Sequence, residues 1–458
     1  MVTFSHHDRS TSTNVWSAQG RDDLPLLPSA LPLGPGNRVL LVAAHPDDET
    51  LGAGGLIRQA LAAGSDVHVL MCSSGEASHP DSPTRTPEDL AKLRQQELAA
   101  ALGVLTVDTP AGTLSWDFLG LPDGKLRTAR EQISDAVEQH ISAQIGLIVS
   151  TYRHDGHADH EVLGEIAAEL AATHEVALLE FPLWYWHWAD PGTDQRWRHW
   201  HRLPLHPDDQ ATKQAAAAEH RSQVAPLSEK AGDERLLGAD FVAHFELPYE
   251  VFRYTPAGMK DSGAATSVFD ALYRRHRDPW NYVDSPYEQR KRLITMASLQ
   301  RQHYGSVLEL GCSIGIATAE LAHRSGQLIG VDASPAALEQ ARKNTADSDH
   351  VTLVQATVPQ DWPELPPASH DLVVISEIGY YLAADELHQL LQLIAQVLRP
   401  GGELLLCHWL HQVEGWSLTG TEVHEIAQDL GWPTLVEHRE RDFRLEIYQR
   451  PDTESDVP

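Results

Sequence analysis

Cysteine is scarce in this chain: Cys72, Cys312 and Cys407 are the only three among 458 residues. Thiols so few and so far apart exclude a disulfide framework and any Cys-based zinc spacing, and they fit a reducing, cytoplasmic compartment. Positive charge is short as well. Lys and Arg number 35 against 65 Asp and Glu, a formal net charge of -30. Nucleic acid and anionic membrane surfaces both require a basic footprint, so neither is expected as a partner, whereas a small-molecule substrate is. No apolar run approaches the roughly 20 residues that span a bilayer. Met1 to Asn37 lacks a basic segment followed by an apolar one, so neither a signal peptide nor membrane insertion is expected. A fixed-period repeat is also missing.

What the chain does have is 42% apolar residues and a length that exceeds one ordinary core. Two α/β patterns occur in succession. In the first, apolar runs at Arg38–Ala43, Asp66–Met71, Ile145–Ser150 and Val176–Phe181 read as strands, with a helix over Leu90–Leu102 among the intervening segments. In the second, strands are expected at Ser306–Leu310, Leu328–Val331, Val351–Gln355, His370–Ser376 and Gly402–Cys407, with Arg399–Gly402 a turn. Strands alternating with helices imply mostly parallel sheets, hence two tandem Rossmann-like three-layer αβα domains. The expected organisation is an N-terminal extension over 1–37, a first domain over 38–254, a small-residue linker over 255–267, a second domain over 268–450 and a tail over 451–458.

The first chemistry-bearing string is Ala44-His45-Pro46-Asp47-Asp48-Glu49, at the end of an apolar run. Polar groups in such number do not close a buried strand unless something charged holds them. A second run, Ile145 to Ser150, leads into Tyr152-Arg-His-Asp155-Gly-His157-Ala-Asp159-His160. Ligands of open α/β sheets bind beyond the carboxyl ends of the strands, so the two clusters can meet there. Catalytic zinc takes three protein ligands and leaves one position open. His45, Asp48 and His160 suit that role, with Asp47 free beside the metal as general base. His157 can donate to an oxyanion or protonate a leaving amine, and Asp159 can orient a histidine. The string His206-Pro-Asp-Asp209 repeats the motif with no strand before it. There Asp208 or Asp209 is expected to cap a helix beginning near Ala211.

On these residues, together with Cys72-Ser-Ser-Gly75-Glu-Ala-Ser78 and Arg94-Gln-Gln-Glu97-Leu98, the stretch from about Arg38 to Tyr254 resembles the PIG-L (LmbE-like) zinc-dependent N-acetylglucosamine de-N-acetylases. Ala158 stands where relatives commonly carry Pro. The resemblance implies hydrolysis of an N-acetyl group on an amino sugar or its conjugate. Arg94 and Asp117 are then candidates for sugar hydroxyls, although Arg94 could equally be a helix-face partner of Glu97. Among Trp184, Trp186, Trp188, Trp197 and Trp200, one or two could form a flat wall for a sugar ring, with Trp186 the member expected at the site; the rest would cover the sheet.

In the second half, Val307-Leu-Glu-Leu-Gly311-Cys-Ser313-Ile-Gly315 closes a strand in a small-residue turn and opens a helix over Thr318–Arg324. Asp332 ends the next strand, where an acid accepts ribose hydroxyls. The same string also matches the Gly-x-Ser-x-Gly nucleophile elbow, with Glu377 and His408 as nominal partners, but that reading leaves Asp332 unexplained. With Asp278-Pro-Trp280-Asn-Tyr282, Tyr287-Glu-Gln-Arg290-Lys291 and Ile375-Ser-Glu377-Ile-Gly-Tyr380-Tyr381-Leu382, the region from about Val268 to Tyr448 resembles class I S-adenosylmethionine-dependent methyltransferases. More narrowly it resembles the NodS-type N-methyltransferases. The resemblance implies that Gly311, Ser313, Gly315 and Asp332 line the cofactor site and that Trp280 and Arg290 sit in a covering segment. Glu377, His408 and Tyr381 are candidate positioners or bases. The two resemblances together imply a bifunctional enzyme that uses Zn2+ and S-adenosylmethionine, deacetylating an amino sugar and then methylating the freed amine. The alternatives are two activities on unrelated substrates, or a deacetylase regulated by a domain that only binds S-adenosylmethionine.

Overall fold

A computed structural model describes residues 10–28, 31–109, 111–141, 144–192, 194, 196–259, 262–416 and 418–452, apart from the side chains of 262–267. The chain divides into two compact units, Met1–Gly258 and Met259–Pro458.

The first unit is built on β1 (Arg38–Ala43), β2 (Asp66–Ser73), β3 (Leu114–Leu121), β4 (Ile145–Thr151), β5 (Ala177–Phe181), β6 (His201–Pro204) and β7 (Tyr249–Thr255), ordered β3-β2-β1-β4-β5-β7-β6. Pairing is parallel from β3 to β5, and β7 runs antiparallel to both β5 and β6. The central strands are buried along nearly their whole length, which is why they read as continuous apolar runs. β3 is an edge strand with half its residues exposed, and β6 has only four residues. Neither pattern marks a strand in sequence.

The second unit repeats the plan with β8 (Tyr304–Leu310), β9 (Ser325–Asp332), β10 (Val351–Gln355), β11 (His370–Ser376), β12 (Leu398–Trp409), β13 (Thr434–Arg439) and β14 (Phe443–Gln449), ordered β10-β9-β8-β11-β12-β14-β13. Counted within each unit, the strand order is the same. Both chains of strands reverse direction of growth at the first strand, so each unit has a crevice between the carboxyl ends of its first and fourth strands. The turn expected at Arg399–Gly402 lies inside β12, where the register with β11 jumps from Leu398 to Glu403.

Three boundaries differ from expectation. The stretch taken as a linker is helical from Ser262, in the helix Ser262–Arg275. The N-terminal segment is not an appendage: Trp16, on the helix Thr13–Ala18, is fully buried in the core of the first unit, and Leu26 bridges to Arg202 of β6. At the repeated motif, the helix Pro207–Ala217 is capped by His206, whose ring accepts from the Asp208 amide, while Asp209 takes Arg58 Nε at 2.7 Å. The last residues of the tail, 453–458, lie outside the described residues. No described helix is long and apolar enough to cross a membrane.

Candidate active sites

At the first crevice, β1 ends in Ala43 and the helix Asp48–Ala63 begins five residues later. Asp48 Oδ2 ties this turn by accepting from the Ala44 and His45 amides at 3.1 and 2.9 Å. From β4 the chain turns through Asp155 and His157 into the helix Ala158–Thr173, which presents His160. The two turns meet. His160 Nε2 lies 3.3 Å from His45 Nδ1 and 3.4 Å from Asp48 Oδ1. Asp155 Oδ2 takes His160 Nδ1 at 2.7 Å, so in the neutral ring Nε2 faces the cluster as a lone pair. Asp155 is itself anchored by the amides of Leu183, Trp184 and Tyr185.

This donor set fits a tetrahedral ion. Ligand nitrogens at about 2.0–2.1 Å from zinc stand about 3.3 Å apart, the separation of the two histidines. Charge agrees as well. Burial disfavours the charged form of His45, yet Asp123, Asp159 and Asp48 outweigh it and hold its pKa well above the ordinary range. His160 is likewise raised, to about 9, against burial by Asp48 and Asp155. A pocket with this excess of carboxylates is short of positive charge, which a divalent cation would supply. His45 Nε2 is buried without a well-formed hydrogen bond, although Asp123 Oδ1 lies 3.0 Å and Asp159 Oδ2 3.4 Å away.

The remaining expected residues fall into two groups. Asp47 and His157 line the same cavity, of about 530 Å³. The Asp47 backbone has φ 137°, a region non-glycine residues avoid. Arg94 also lines this cavity, but its guanidinium holds the Pro46 and Gly75 carbonyls and Asp47 Oδ1; Glu97 is instead engaged by the Ser222 amide and hydroxyl. Burial, with the imidazoles of His160 and His45 beside it, drives the His157 pKa down to about 3, so the ring is neutral. Asp159 accepts from the Gly124 and Leu126 amides and stands beside His45, 3.4 Å from its Nε2, rather than at His160. Two expectations fail. Asp117 sits on the exposed edge strand β3, its side chain 69% exposed and beside His68. Trp186 packs against Trp16 and Trp200 in the core, and the tryptophan that reaches the cavity is Trp184.

Asp155 and Asp123 were not singled out from sequence. Asp155 lies five residues before His160, a spacing that becomes meaningful only when the turn closes on itself. Asp123 sits in a Pro-Asp-Gly turn after an edge strand, with no local mark of function.

In the second unit, Gly311, Ser313 and Gly315 all have positive φ, 78°, 50° and 78°. A Cβ on Gly311 would meet Ile378 Cγ2 at 2.2 Å, so only glycine fits there. Ser313 takes a left-handed conformation that glycine adopts freely; its hydroxyl is held by the Tyr273 phenol at 2.6 Å. Asp332, closing β9, accepts from the Ser313 and Ser334 amides at 2.8 and 2.9 Å. Trp280 Nε1 donates to the same Tyr273 oxygen at 3.2 Å, which links the segment before β8 to the turn. Arg290 points elsewhere, into an ion pair with Glu440 on an exposed surface. Its neighbour Lys291 lines the cavity with Gly311 and Ser313 instead.

Glu377 also borders that cavity, but its oxygens are engaged by Lys291 Nζ, the Tyr380 hydroxyl and the Trp409 amide. It is a positioning group rather than a free base. His408 is buried, accepting from the Gly379 amide and facing His424. Burial, followed by His424 and Lys291, holds its pKa well below the usual range. Tyr381 packs against Phe269 and Trp416. With Ser313 bonded to Tyr273, and Glu377 and His408 bonded elsewhere, the nucleophile-elbow reading has no triad.

Comparison with known proteins agrees with this division. The GlcNAc-PI de-N-acetylase family (PIG-L) matches residues 40–171, and a methyltransferase domain family matches residues 307–402. Nodulation protein S of Azorhizobium caulinodans is 32% identical over 179 residues, covering 38% of this chain and 81% of that protein. A 1D-myo-inositol 2-acetamido-2-deoxy-alpha-D-glucopyranoside deacetylase from a Mycobacterium species is 32% identical over 187 residues, 36% of this chain; the chain spans 57% of that relative's length. The crystal structure of N-methyltransferase NodS from Bradyrhizobium japonicum with S-adenosyl-L-homocysteine is 23% identical, with TM-score 0.36, covering 40% of this chain and 97% of that one. Through its second unit the chain belongs to the nodulation protein S family, and ahead of that unit residues 40–171 match the PIG-L family model.

Proposed function

We propose that the chain is a bifunctional, cytoplasmic enzyme of amino-sugar conjugates: a zinc-dependent hydrolase of an N-acetyl group and an S-adenosylmethionine-dependent methyltransferase acting on the nitrogen so freed. The observation that carries the reading is the convergence of His160 Nε2, His45 Nδ1 and Asp48 Oδ1 beside the Asp47 carboxylate.

His45, Asp48 and His160 would hold the ion, which supplies Lewis-acid polarisation of the amide carbonyl and a more acidic water. Asp47 accepts the proton from the attacking water. The neutral His157 suits donation of an N–H to the oxygen on which negative charge develops. Trp184 and Phe241 offer the cavity an apolar wall for the sugar. Water adds to the carbonyl, the C–N bond breaks, the proton passes to nitrogen, and acetate and an amine leave.

In the second unit the turn from Gly311 to Gly315 and the carboxylate of Asp332 would hold S-adenosylmethionine. Methyl transfer breaks the S–CH3 bond, forms N–CH3 and releases a proton; it requires a neutral amine in line rather than strong acid–base help. That need fits a Glu377 already occupied by three donors. An amide nitrogen is a poor nucleophile, so deacetylation supplies the acceptor.

The test is mass spectrometry of N-acetylglucosamine conjugates incubated with the full chain, with and without S-adenosylmethionine. Acetyl loss without the cofactor and replacement of acetyl by methyl with it are expected. Asp47→Asn should block methylation of the acetylated substrate and spare that of the free amine. Methyl incorporation into the acetylated substrate by Asp47→Asn would refute the coupling.

A further inference from the structure

A second cluster of metal-binding side chains lies away from the catalytic crevice. His68 stands near the N-terminal end of β2, Asp117 lies on the neighbouring edge strand β3, and His140 is the last residue of the helix Arg130–His140. One ligand atom from each lies within 4.8 Å of the others. The register that pairs His68 with Ser115 puts Asp117 two residues on, on the same face of β3 as Ser115.

The tautomers favour a cation. His140 Nδ1 hydrogen-bonds the Ala136 carbonyl at 2.8 Å, a carbonyl only accepts, and so a neutral His140 leaves Nε2 as a lone pair. His68 Nδ1 pairs with Ser115 Oγ at 2.9 Å. Its Nε2 is buried without a hydrogen-bond partner, and Asp117 Oδ2, at 3.6 Å, is too far to accept a proton from it. A buried nitrogen in that position is less costly as a bare lone pair than as an orphaned N–H. The His68 residue is 4% exposed, and the two imidazoles stack at 4.5 Å with an interplanar angle of 19°.

We propose that His68, Asp117 and His140 form a second divalent-metal site, distinct from the catalytic one. Two imidazoles and one carboxylate select a borderline transition ion such as Zn2+, Cu2+ or Ni2+ over Mg2+ or Ca2+. Each ring is oriented through its other nitrogen, the usual arrangement behind a ligating histidine. The donor spacing exceeds that of a closed tetrahedron, so binding requires the exposed Asp117 to move in and the stacked His140 ring to turn toward the ion. The bound ion ties the edge strand β3 to β2 and to the helix Arg130–His140, stabilising the folded state by mass action.

The experiment uses the full chain, stripped with a chelator and titrated with Zn2+ by equilibrium dialysis, with melting temperature followed in parallel. Two equivalents are expected in the wild type. Asp117→Asn, at an exposed position, and His140→Gln should each weaken the second equivalent at least about tenfold, abolish its contribution to the melting temperature, and leave deacetylation unchanged. His160→Ala should lose the first equivalent and keep the second. A wild type that binds one equivalent overturns the proposal. So does a second equivalent that persists in both variants, since it then belongs to other histidines.

Discussion

Arg94 Nη2 donates to the Pro46 carbonyl at 2.7 Å and to Asp47 Oδ1 at 3.2 Å. The arginine thus grips the preceding carbonyl, of Pro46, and the carboxylate of Asp47, a residue whose φ of 137° costs on the order of 1–3 kcal/mol. Room for it comes from Gly75, where a Cβ would stand 2.0 Å from Arg94 Nη1. Three motifs separated in sequence, around His45, Gly75 and Arg94, therefore form one device that aims Asp47 into the cavity.

Replacing Arg94 by Met is expected to lower kcat for deacetylation by about 10–100-fold, the size of one or two lost charge-assisted hydrogen bonds, with metal content unchanged. A rise in KM at constant kcat would instead return Arg94 to a sugar-binding role.

Asp155→Asn removes the acceptor that orients His160. Zinc affinity should fall about 10–100-fold, read by chelator competition. Far-UV circular dichroism should not change. Retention of wild-type affinity would show that the ring needs no such partner.

In the second unit, Asp332→Ala should cost about 30–100-fold in S-adenosylmethionine affinity by calorimetry, since the carboxylate organises the Ser313 and Ser334 amides and would, in the proposed function, hold the cofactor. Arg290→Ala should leave that affinity within about twofold, its partner Glu440 being at the surface. Equal losses in both variants would contradict the orientation of Arg290.

Glu309 gives a pH signature. Burial, with Asp332 adding to it, pushes its carboxyl up to about 7 from 4.5. The folded state therefore keeps a proton that the unfolded chain releases. Stability of the second unit should fall as pH rises from about 4.5 to about 7 and level off above, by up to about 3 kcal/mol. Glu309→Gln should flatten this slope and melt higher than wild type at pH 8. Parallel melting profiles between pH 5 and 8 would rule the effect out.

The buried parallel strands and the strings attached to their carboxyl ends were legible from residue order alone. β1, β4, β8 and β11 are apolar on both faces, and the loops after β1, β4 and β8 carry His45, Asp47, Asp48, His157, His160 and the Gly311–Gly315 turn. Burial on two faces demands continuous apolar sequence, and chemistry at a strand end demands polar residues immediately after it, so both leave a local trace. Two edge strands, β3 and β13, left none: half of β3 and two thirds of β13 are exposed, and their composition matches a loop's.

Side-chain direction belonged to the tertiary structure. Trp184 and Trp186 are two residues apart on the same short segment, yet one reaches the cavity and the other is sealed under Trp16 by an N-terminal segment about 170 residues earlier. Arg290 and Lys291 are adjacent, and only Lys291 turns inward. Asp155 rather than Asp159 takes the His160 ring because a hydrogen bond is decided at about 3 Å, a scale set by how two loops from different strands close on each other. Sequence determined which chemical groups gather at each crevice; packing between distant segments decided which of them face the ion, which hold their neighbours, and which are only core.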